Sequence, residues 1–329
     1  MRKAFAASIA SILLLALSLP AQAQKEVIVN SFRSATLWPL WAAQKQGYFA
    51  KQGIVIKNVY TPNSSQQMIG LLKGEFDMVT TALDNVVAYN LGDGNPKAPK
   101  NADLITVTGG TNGANSLIAQ PGIKSMAELR GRDLAVDAVT TGYAFVLQEI
   151  LAKNGLTPKD YKLVPFGNTG ARWVALKDKK AAAGLLAPPV SQTAVREGFV
   201  NLAEAATALG GYQGTVFATR REWAKSNSDM LVNFIRAYRQ GLEWVKAPAN
   251  KEAVIAILRA EIPTTSQAAA EQTYDFLVAN PQGFDPGGKI DMAGAKMVLD
   301  LRRRYGPPGR SPEIARMVDE SYFERAAKP

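Results

Sequence analysis

The sequence predicts an α/β protein built as two similar lobes joined by two chain crossings. Three observations predict it. Short apolar strands alternate with helical segments along the 329 residues, as in open sheets flanked by helices. The alternation runs twice, in two series of the same rhythm. A glycine-rich stretch, Gly109 to Gly113, separates the series, and a second, Gly210-Gly211-Tyr212-Gln213-Gly214, follows them. Glycines allow backbone change at little steric cost, so both stretches are candidate hinges.

In the first series, Val27 to Val29 reads as a strand. Thr36 is a plausible N-cap, with Pro39 in the first helical turn, where its missing N–H costs little. That helix ends near Gly47. Ile54 to Val59 alternates as a second strand. Ser64 and Gln67 form a capping-box pattern ahead of Met68, Leu71 and Leu72, which share one helical face. Phe76 to Thr80 is a third strand, Asp84 a candidate cap for the next helix, and Leu104 to Thr108 a fourth strand.

The second series repeats the scheme. Leu117 to Ala119 and Leu134 to Val136 are strands. Thr140-Thr141-Gly142 opens a helix carrying Tyr143, Val146, Leu147, Ile150 and Leu151 at helical spacing, and Gly155 stops it. Lys162 to Pro165 is a strand, Ala171 to Leu176 a helix, Gly184 to Leu186 a strand and Val190 to Glu197 a helix. After the strand Thr215 to Ala218 the chain is helical. Met230, Leu231, Phe234, Ile235, Tyr238, Leu242 and Val245 form one long apolar stripe, a shorter helix stops before Pro263, and two or three more follow.

Composition excludes most catalytic chemistry. There is no Cys and no His. No His-dependent triad, no thiolate nucleophile, no disulfide and no zinc knuckle can be built. No phosphate loop, nucleophile elbow or paired acid and base stands out, and no cofactor or metal is expected. The chain carries 38 Lys+Arg against 28 Asp+Glu. Its basic residues form no long tract, so nucleic acid is not an expected partner.

The first 23 residues read as a cleavable export signal. A basic Met1-Arg2-Lys3 precedes an apolar run densest from Ile9 to Leu19, then Pro20 and the small-x-small Ala21-Gln22-Ala23. The run is shorter than the roughly 20 residues needed to span a bilayer. Without Cys there is no lipid anchor. Removing Arg2 and Lys3 takes the formal charge from +10 to +8. The expected organisation is residues 1–23 as signal peptide, 24–113 with 214–329 as the first lobe, and 114–213 as the second. The expected location is the periplasm.

Ligands of open α/β sheets bind outside the carboxyl ends of the strands. The polar tips there are Ser34 with Thr36, Ser64 with Ser65, Thr80 with Thr81, Thr140-Thr141-Gly142, and Asn168 ahead of Gly170. Each sets a hydroxyl or a small residue beside free helix N–H groups, which favour anions. A plain N-cap is the competing role of each. Trp38, Trp41, Tyr60, Tyr143 and Phe166 are candidate apolar walls, although Trp41 lies a turn inside its helix and reads as core. Arg33 and Arg172 are candidate anion partners, and Asp84 and Asp137 candidate amine partners.

Several segments in order carry a family resemblance. They are Trp38-Pro39-Leu40-Trp41-Ala42-Ala43 through Gly47-Tyr48-Phe49, Gln52-Gly53-Ile54, Gly74-Glu75-Phe76-Asp77-Met78, and Ala82-Leu83-Asp84-Asn85-Val86. Ser125-Met126-Ala127-Glu128-Leu129-Arg130-Gly131-Arg132 and Ala187-Pro188-Pro189 follow in the second lobe. Across essentially the whole mature chain, the sequence resembles the binding components of ABC importers for nitrate, taurine and aliphatic sulfonates, with relatives for thiamine pyrimidine precursors.

The resemblance implies a two-lobed periplasmic-binding fold with two crossing strands. Its ligand is a small molecule held between lobes, its partners a membrane permease and an ATPase, and its working form a monomer without catalysis. By the same resemblance, Ser34, Thr36 and Trp38, the turn Asp84-Asn85, and Thr140-Thr141-Gly142 face the ligand. The first ligand class expected is a sulfonate or taurine-like anion. A heteroaromatic or aromatic acid is the alternative, and a sensor partner or a carboxylate-only enzyme on the same fold are others. Fungal relatives make the thiamine pyrimidine from their own His, which this chain lacks. Lys180-Ala181-Ala182-Ala183-Gly184 also lacks the Asp that many relatives carry there, the echo of Asp77 in the first lobe.

Overall fold

The computed structural model describes residues 24–280, 283–309 and 313–328; the expected export signal, residues 1–23, lies outside them. Ten strands are β1 (Lys25–Ser31), β2 (Ile54–Tyr60), β3 (Met78–Ala82), β4 (Leu104–Gly109), β5 (Ser116–Ala119), β6 (Arg132–Val136), β7 (Tyr161–Pro165), β8 (Ala183–Leu186), β9 (Val200–Glu204) and β10 (Thr215–Arg220). They form two five-stranded sheets, ordered β2-β1-β3-β10-β4 and β7-β6-β8-β5-β9. The sheets share one plan. In the first, β1 runs parallel to β2 and β3, while β10 is antiparallel to β3 and β4. In the second, β6 runs parallel to β7 and β8, while β5 is antiparallel to β8 and β9.

The helices of the first sheet begin with α1 (Trp38–Lys45), α2 (Tyr48–Lys51), α3 (Ser64–Lys73) and α4 (Leu83–Leu91). Those of the second are α5 (Gly142–Lys153), α6 (Thr169–Lys177), α7 (Val190–Arg196) and α8 (Ala205–Leu209). The C-terminal set is α9 (Arg221–Ser226), α10 (Ser228–Lys246), α11 (Lys251–Glu261), α12 (Gln267–Tyr274), α13 (Met292–Tyr305) and α14 (Ser321–Ala327). No helix of the described residues is long and apolar enough to cross a membrane.

The expected apolar stripe is the buried face of α10. Leu231, Phe234, Ile235, Tyr238, Leu242 and Val245 pack there with Trp38 and Trp41 of α1 and with Phe49 and Phe217. A second core gathers Leu134, Phe145, Leu147, Ile150 and Leu185 under the other sheet. Leu83, Val216, Val298 and Leu301, from β10 of the first sheet and from helices beside it, join that core.

The two crossings run side by side. Gly110 N donates to Thr215 O at 3.0 Å, and Gly214 N donates to Thr111 O at 2.9 Å. A Cβ on Gly214 would lie 2.6 Å from Gly113 N, so only glycine fits that close approach. The segment after α12 clamps both crossings. Asp285 N donates to Gly110 O at 3.1 Å, and Gln213 Nε2 donates to Asp285 Oδ2 at 2.7 Å. Helix α13 packs on both α4 and α5. Its Arg302 holds Asp84 and Asp93, while Arg304 and Tyr305 donate to Glu149 of α5.

Several local expectations are corrected. Ser64 and Gln67 make no capping box. Asn63 is the N-cap of α3, accepting from Gln66 N at 2.8 Å, and Gln67 is buried, donating to Asn30 O and Thr80 O. Thr36 is no N-cap either, since a 3-10 turn at Ala35–Leu37 leads into α1. Asp84 lies inside the first turn of α4, behind Ala82 as N-cap. The third strand begins two residues later than expected, because Asp77 is committed to accepting from Ile28 N at 2.8 Å. The short β9, α2, α8 and α9 carry too few periodic positions to read from sequence.

Candidate functional site

Strands β1, β2 and β3 point their carboxyl ends toward those of β6, β7 and β8. Between them lies a cleft of about 600 Å³. From the first lobe it is lined by Phe32, Arg33, Ser34 and Thr36 after β1, by Tyr60 to Pro62 and Ser64 after β2, and by Thr80, Thr81, Ala82 and Asn85 after β3. From the second lobe come Asp137, Thr141 and Tyr143 after β6, Asn168 to Trp173 after β7, and Ala187 and Val190 after β8. The crossings add Thr111, Ala114, Asn115 and Thr215, and the end of α11 adds Ile262 and Thr264.

Many hydroxyls of the wall are bonded to other protein groups. Ser34 Oγ and Thr36 Oγ1 lie 2.7 Å apart, and so hold each other at the β1 tip. Asn85 Nδ2 donates to Thr81 Oγ1 at 2.9 Å. Thr141 Oγ1 donates to Ala138 O, and Thr111 Oγ1 lies 2.8 Å from Thr215 Oγ1. Asn115 bonds the Tyr143 phenol, which burial pushes up and keeps neutral.

The charged groups are arranged differently. Arg172 is 8% exposed. Its Nε donates to Leu185 O at 3.0 Å, Nη1 to Gly167 O at 2.8 Å and Nη2 to Thr169 Oγ1 at 3.0 Å. A guanidinium carries five N–H groups, so two remain for a ligand, one on each terminal nitrogen. Burial pulls Arg172 down, and the charge of Asp137 opposes that pull. Arg33 is exposed, and its guanidinium carbon lies over the Tyr60 ring, 4.6 Å from its centroid.

The lobes touch at the cleft edge. Ser64 N donates to Asp137 Oδ2 at 3.3 Å, and Ser64 Oγ donates to the same oxygen. Ala35 N donates to Pro188 O at 3.0 Å, and Asn168 N to Pro62 O at 2.9 Å. These bonds join α3 and the β1 and β2 tips to the second lobe, so the structure is a closed one.

Of the candidate residues, the structure places Ser34, Thr36, Ser64, Thr81, Asn85, Thr141, Tyr143, Asn168 and Arg172 on the cleft wall, with Arg33, Tyr60 and Asp137. It places five others elsewhere. Trp38 is fully buried, donating from Nε1 to Val254 O at 2.7 Å. Asp84 is fully buried against Arg302, with Nη1 3.0 Å from both carboxylate oxygens, and no amine ligand reaches it. Burial pushes its carboxyl up to about 6, against the pull of Arg302. Ser65 turns aside to bond the Tyr89 phenol. Thr140 is exposed outside the cleft. Gly142 is buried behind the wall, where a Cβ would lie 2.5 Å from Asp84 Cβ. Trp41 is core, as its helical position implies, and Phe166 packs against the core beside Trp173.

Thr111, Asn115, Trp173, Thr215, Ile262 and Thr264 were not singled out by sequence reasoning. The glycine stretches pointed at the crossings, and hence at Thr111, Asn115 and Thr215. Nothing local marks Ile262 and Thr264, which reach the cleft through long-range packing.

Residues 34–251 match the family model described as NMT1/THI5 like, and the chain belongs to that family. A comparison with curated protein sequences finds no match. Among solved structures, the chain is similar to the alkanesulfonate-binding protein SsuA from Xanthomonas axonopodis pv. citri bound to MOPS. That likeness has a TM-score of 0.72 and 18% identity, over 90% of this chain and 98% of the other. It is similar to the periplasmic nitrate-binding protein NrtA from Synechocystis PCC 6803, with a TM-score of 0.76 and 14% identity over 92% and 88% of the two chains. It is also similar to the zinc-bound ligand-binding component of an ABC-type import system from Staphylococcus aureus, with a TM-score of 0.75 and 14% identity over 92% and 99%. The fold is that of periplasmic ABC-type substrate-binding proteins.

Proposed function

We propose that this chain is the exported, monomeric binding component of an ABC importer, without a reaction of its own, and that it captures a small organic anion and presents it to a permease. The observation that carries this reading is the cleft itself, closed between two lobes at the carboxyl ends of six parallel strands, with a buried guanidinium in its wall. Ligand binding and lobe closure are then one equilibrium, shifted by the ligand's preference for the closed form.

The wall supports an acid with an apolar body. A cleft of about 600 Å³ is of the size that encloses a ring-bearing molecule. Phe32, Tyr60, Tyr143 and Trp173 supply flat surfaces for it, and Arg172 has two N–H groups to spare for an acid oxygen. An organic sulfonate fits this description, and so does an aromatic carboxylate. The MOPS held by the Xanthomonas protein is a sulfonate of this kind. Nitrate would leave the aromatic surfaces without a role. Metal cargo is not supported, because the chain lacks His and Cys and the described residues gather no group of three or more carboxylates that could hold an ion.

The test is thermal unfolding of the mature chain against MOPS, benzenesulfonate, benzoate, taurine, nitrate and an aminopyrimidine. A ligand at 100 times its Kd adds about 2.7 kcal/mol of stability. A shift with the ring-bearing acids, smaller or absent with nitrate, is the expected result. A shift with the neutral pyrimidine and none with any anion overturns the ligand class.

A further inference from the structure

Among the described residues of the cleft wall, three carry full charges: Arg33, Asp137 and Arg172. Two cations against one carboxylate leave one net positive charge. The three are held in different ways. Arg33 lies at the exposed rim over Tyr60. Arg172 is locked inside the second lobe by two backbone carbonyls and a hydroxyl, none of which carries a compensating charge. Asp137 bridges the lobes, its Oδ2 taking both donors of Ser64 at the first turn of α3.

Asp137 has a second feature. Its Oδ1 is buried and without a hydrogen-bond partner. The carboxylate is held on one side by Ser64 at the first turn of α3, and from the same wall it acts through space on Arg172. A ligand acid that engages the free N–H groups of Arg172 shares that guanidinium with Asp137. One anionic charge is matched by the wall's net positive charge. A second would sit in a closed, poorly solvated space facing an ionised Asp137, where like charges repel far more strongly than in water. Asp137 cannot swing away to relieve this without releasing Ser64, and with it one of the contacts that hold the lobes together at the cleft edge.

We infer that Asp137 is a specificity-determining residue that couples lobe closure to ligand charge, so that the cleft closes on monoanions and rejects dianions. The inference rests on the organic-anion reading above and adds the charge that the site accepts.

The experiment is calorimetric titration of the mature chain with benzenesulfonate and with 1,3-benzenedisulfonate, both fully ionised across the working pH range. The wild type is expected to bind the monosulfonate at least tenfold more tightly. Asp137→Asn keeps the shape and removes the charge, and is expected to narrow that ratio at least tenfold. Ser64→Ala removes the hydroxyl's hold on Asp137 and keeps the charge, so it is expected to weaken both ligands alike and leave their ratio unchanged. A wild type that takes the disulfonate as tightly as the monosulfonate overturns the inference while leaving anion binding intact, and this result needs no variant. A Ser64→Ala ratio that collapses as in Asp137→Asn overturns the charge role in favour of a purely mechanical latch. Binding of neither sulfonate, with a thermal shift for the neutral pyrimidine, overturns the organic-anion reading itself.

Discussion

Asp285 shows how much a single buried carboxyl contributes at the crossings. It is 1% exposed, and its one side-chain partner is the neutral Gln213. Burial pushes it up from 3.8 to about 7, with Asp291 adding to the rise and Gln213, the Gly110 backbone and Lys246 opposing it. A carboxyl raised on folding holds a proton that the unfolded chain has already released. Its contribution to stability is complete below about pH 4 and is lost as pH rises through about 7. Asp285→Asn is uncharged throughout and can still accept from Gln213. In urea unfolding, the variant is therefore expected to match the wild type near pH 4 and to exceed it by a few kcal/mol near pH 8. Parallel stability curves across that range would show that Asp285 is ionised in the folded chain. The same scale explains why Trp38 and Asp84 misled. Each stands at the right distance from a strand end, but a partner distant in sequence, Val254 for Trp38 and Arg302 for Asp84, draws it away from the cleft.

At the level of elements, the pairing of α1 with α10 governs the first lobe. The stripe on α10 was legible because its period is sustained over five turns. Its orientation depends on one residue the stripe does not include. Gly241 faces α1 so closely that a Cβ would collide with Pro39 O, with Ala43 N 3.0 Å away. By helix propensity alone, Gly241→Ala would gain up to about 1 kcal/mol. Because the obstruction is backbone, which cannot rotate aside, the expected result is a loss of about 1–3 kcal/mol, read from the urea midpoint. A gain in stability would mean that α1 and α10 can separate without cost. Periodicity reports a helix's apolar face but not its approach distance, and for that reason the cleft-forming tips were legible while Ile262 and Thr264 were not. Five of the polar tips fell where the sheet plan put them. The hydroxyls at those tips mostly bond to protein partners, and the pairing of Ser64 with Asp137 requires knowing which tips face which.

The whole molecule is less divided than a two-lobed description implies. Leu83, Val216, Val298 and Leu301 belong to the same buried cluster as Phe145 and Ile150, and α13 is tied by ion pairs to α4 and to α5. Losing either lobe would strip apolar cover from the other, at about 25 cal/mol for each Å² exposed. Heat or urea is therefore expected to unfold the chain in one transition. Tryptophan fluorescence, weighted toward the first lobe, and far-UV circular dichroism should give coincident midpoints. Two separated transitions would show that the shared cluster is too small to couple the lobes.

The strand order carries a consequence for how the chain is assembled. The second sheet is drawn from one unbroken stretch, whereas the first waits for β10, which inserts between β3 and β4. Thus β1, the first strand of the described residues, sits in the interior of a sheet that stays incomplete until the other sheet has been made. Closing that long loop costs entropy that β3 and β4 cannot recover by pairing with each other. The topology therefore predicts inside-out assembly: the second sheet can pair its five strands before β10 is in place, and the first sheet is completed last.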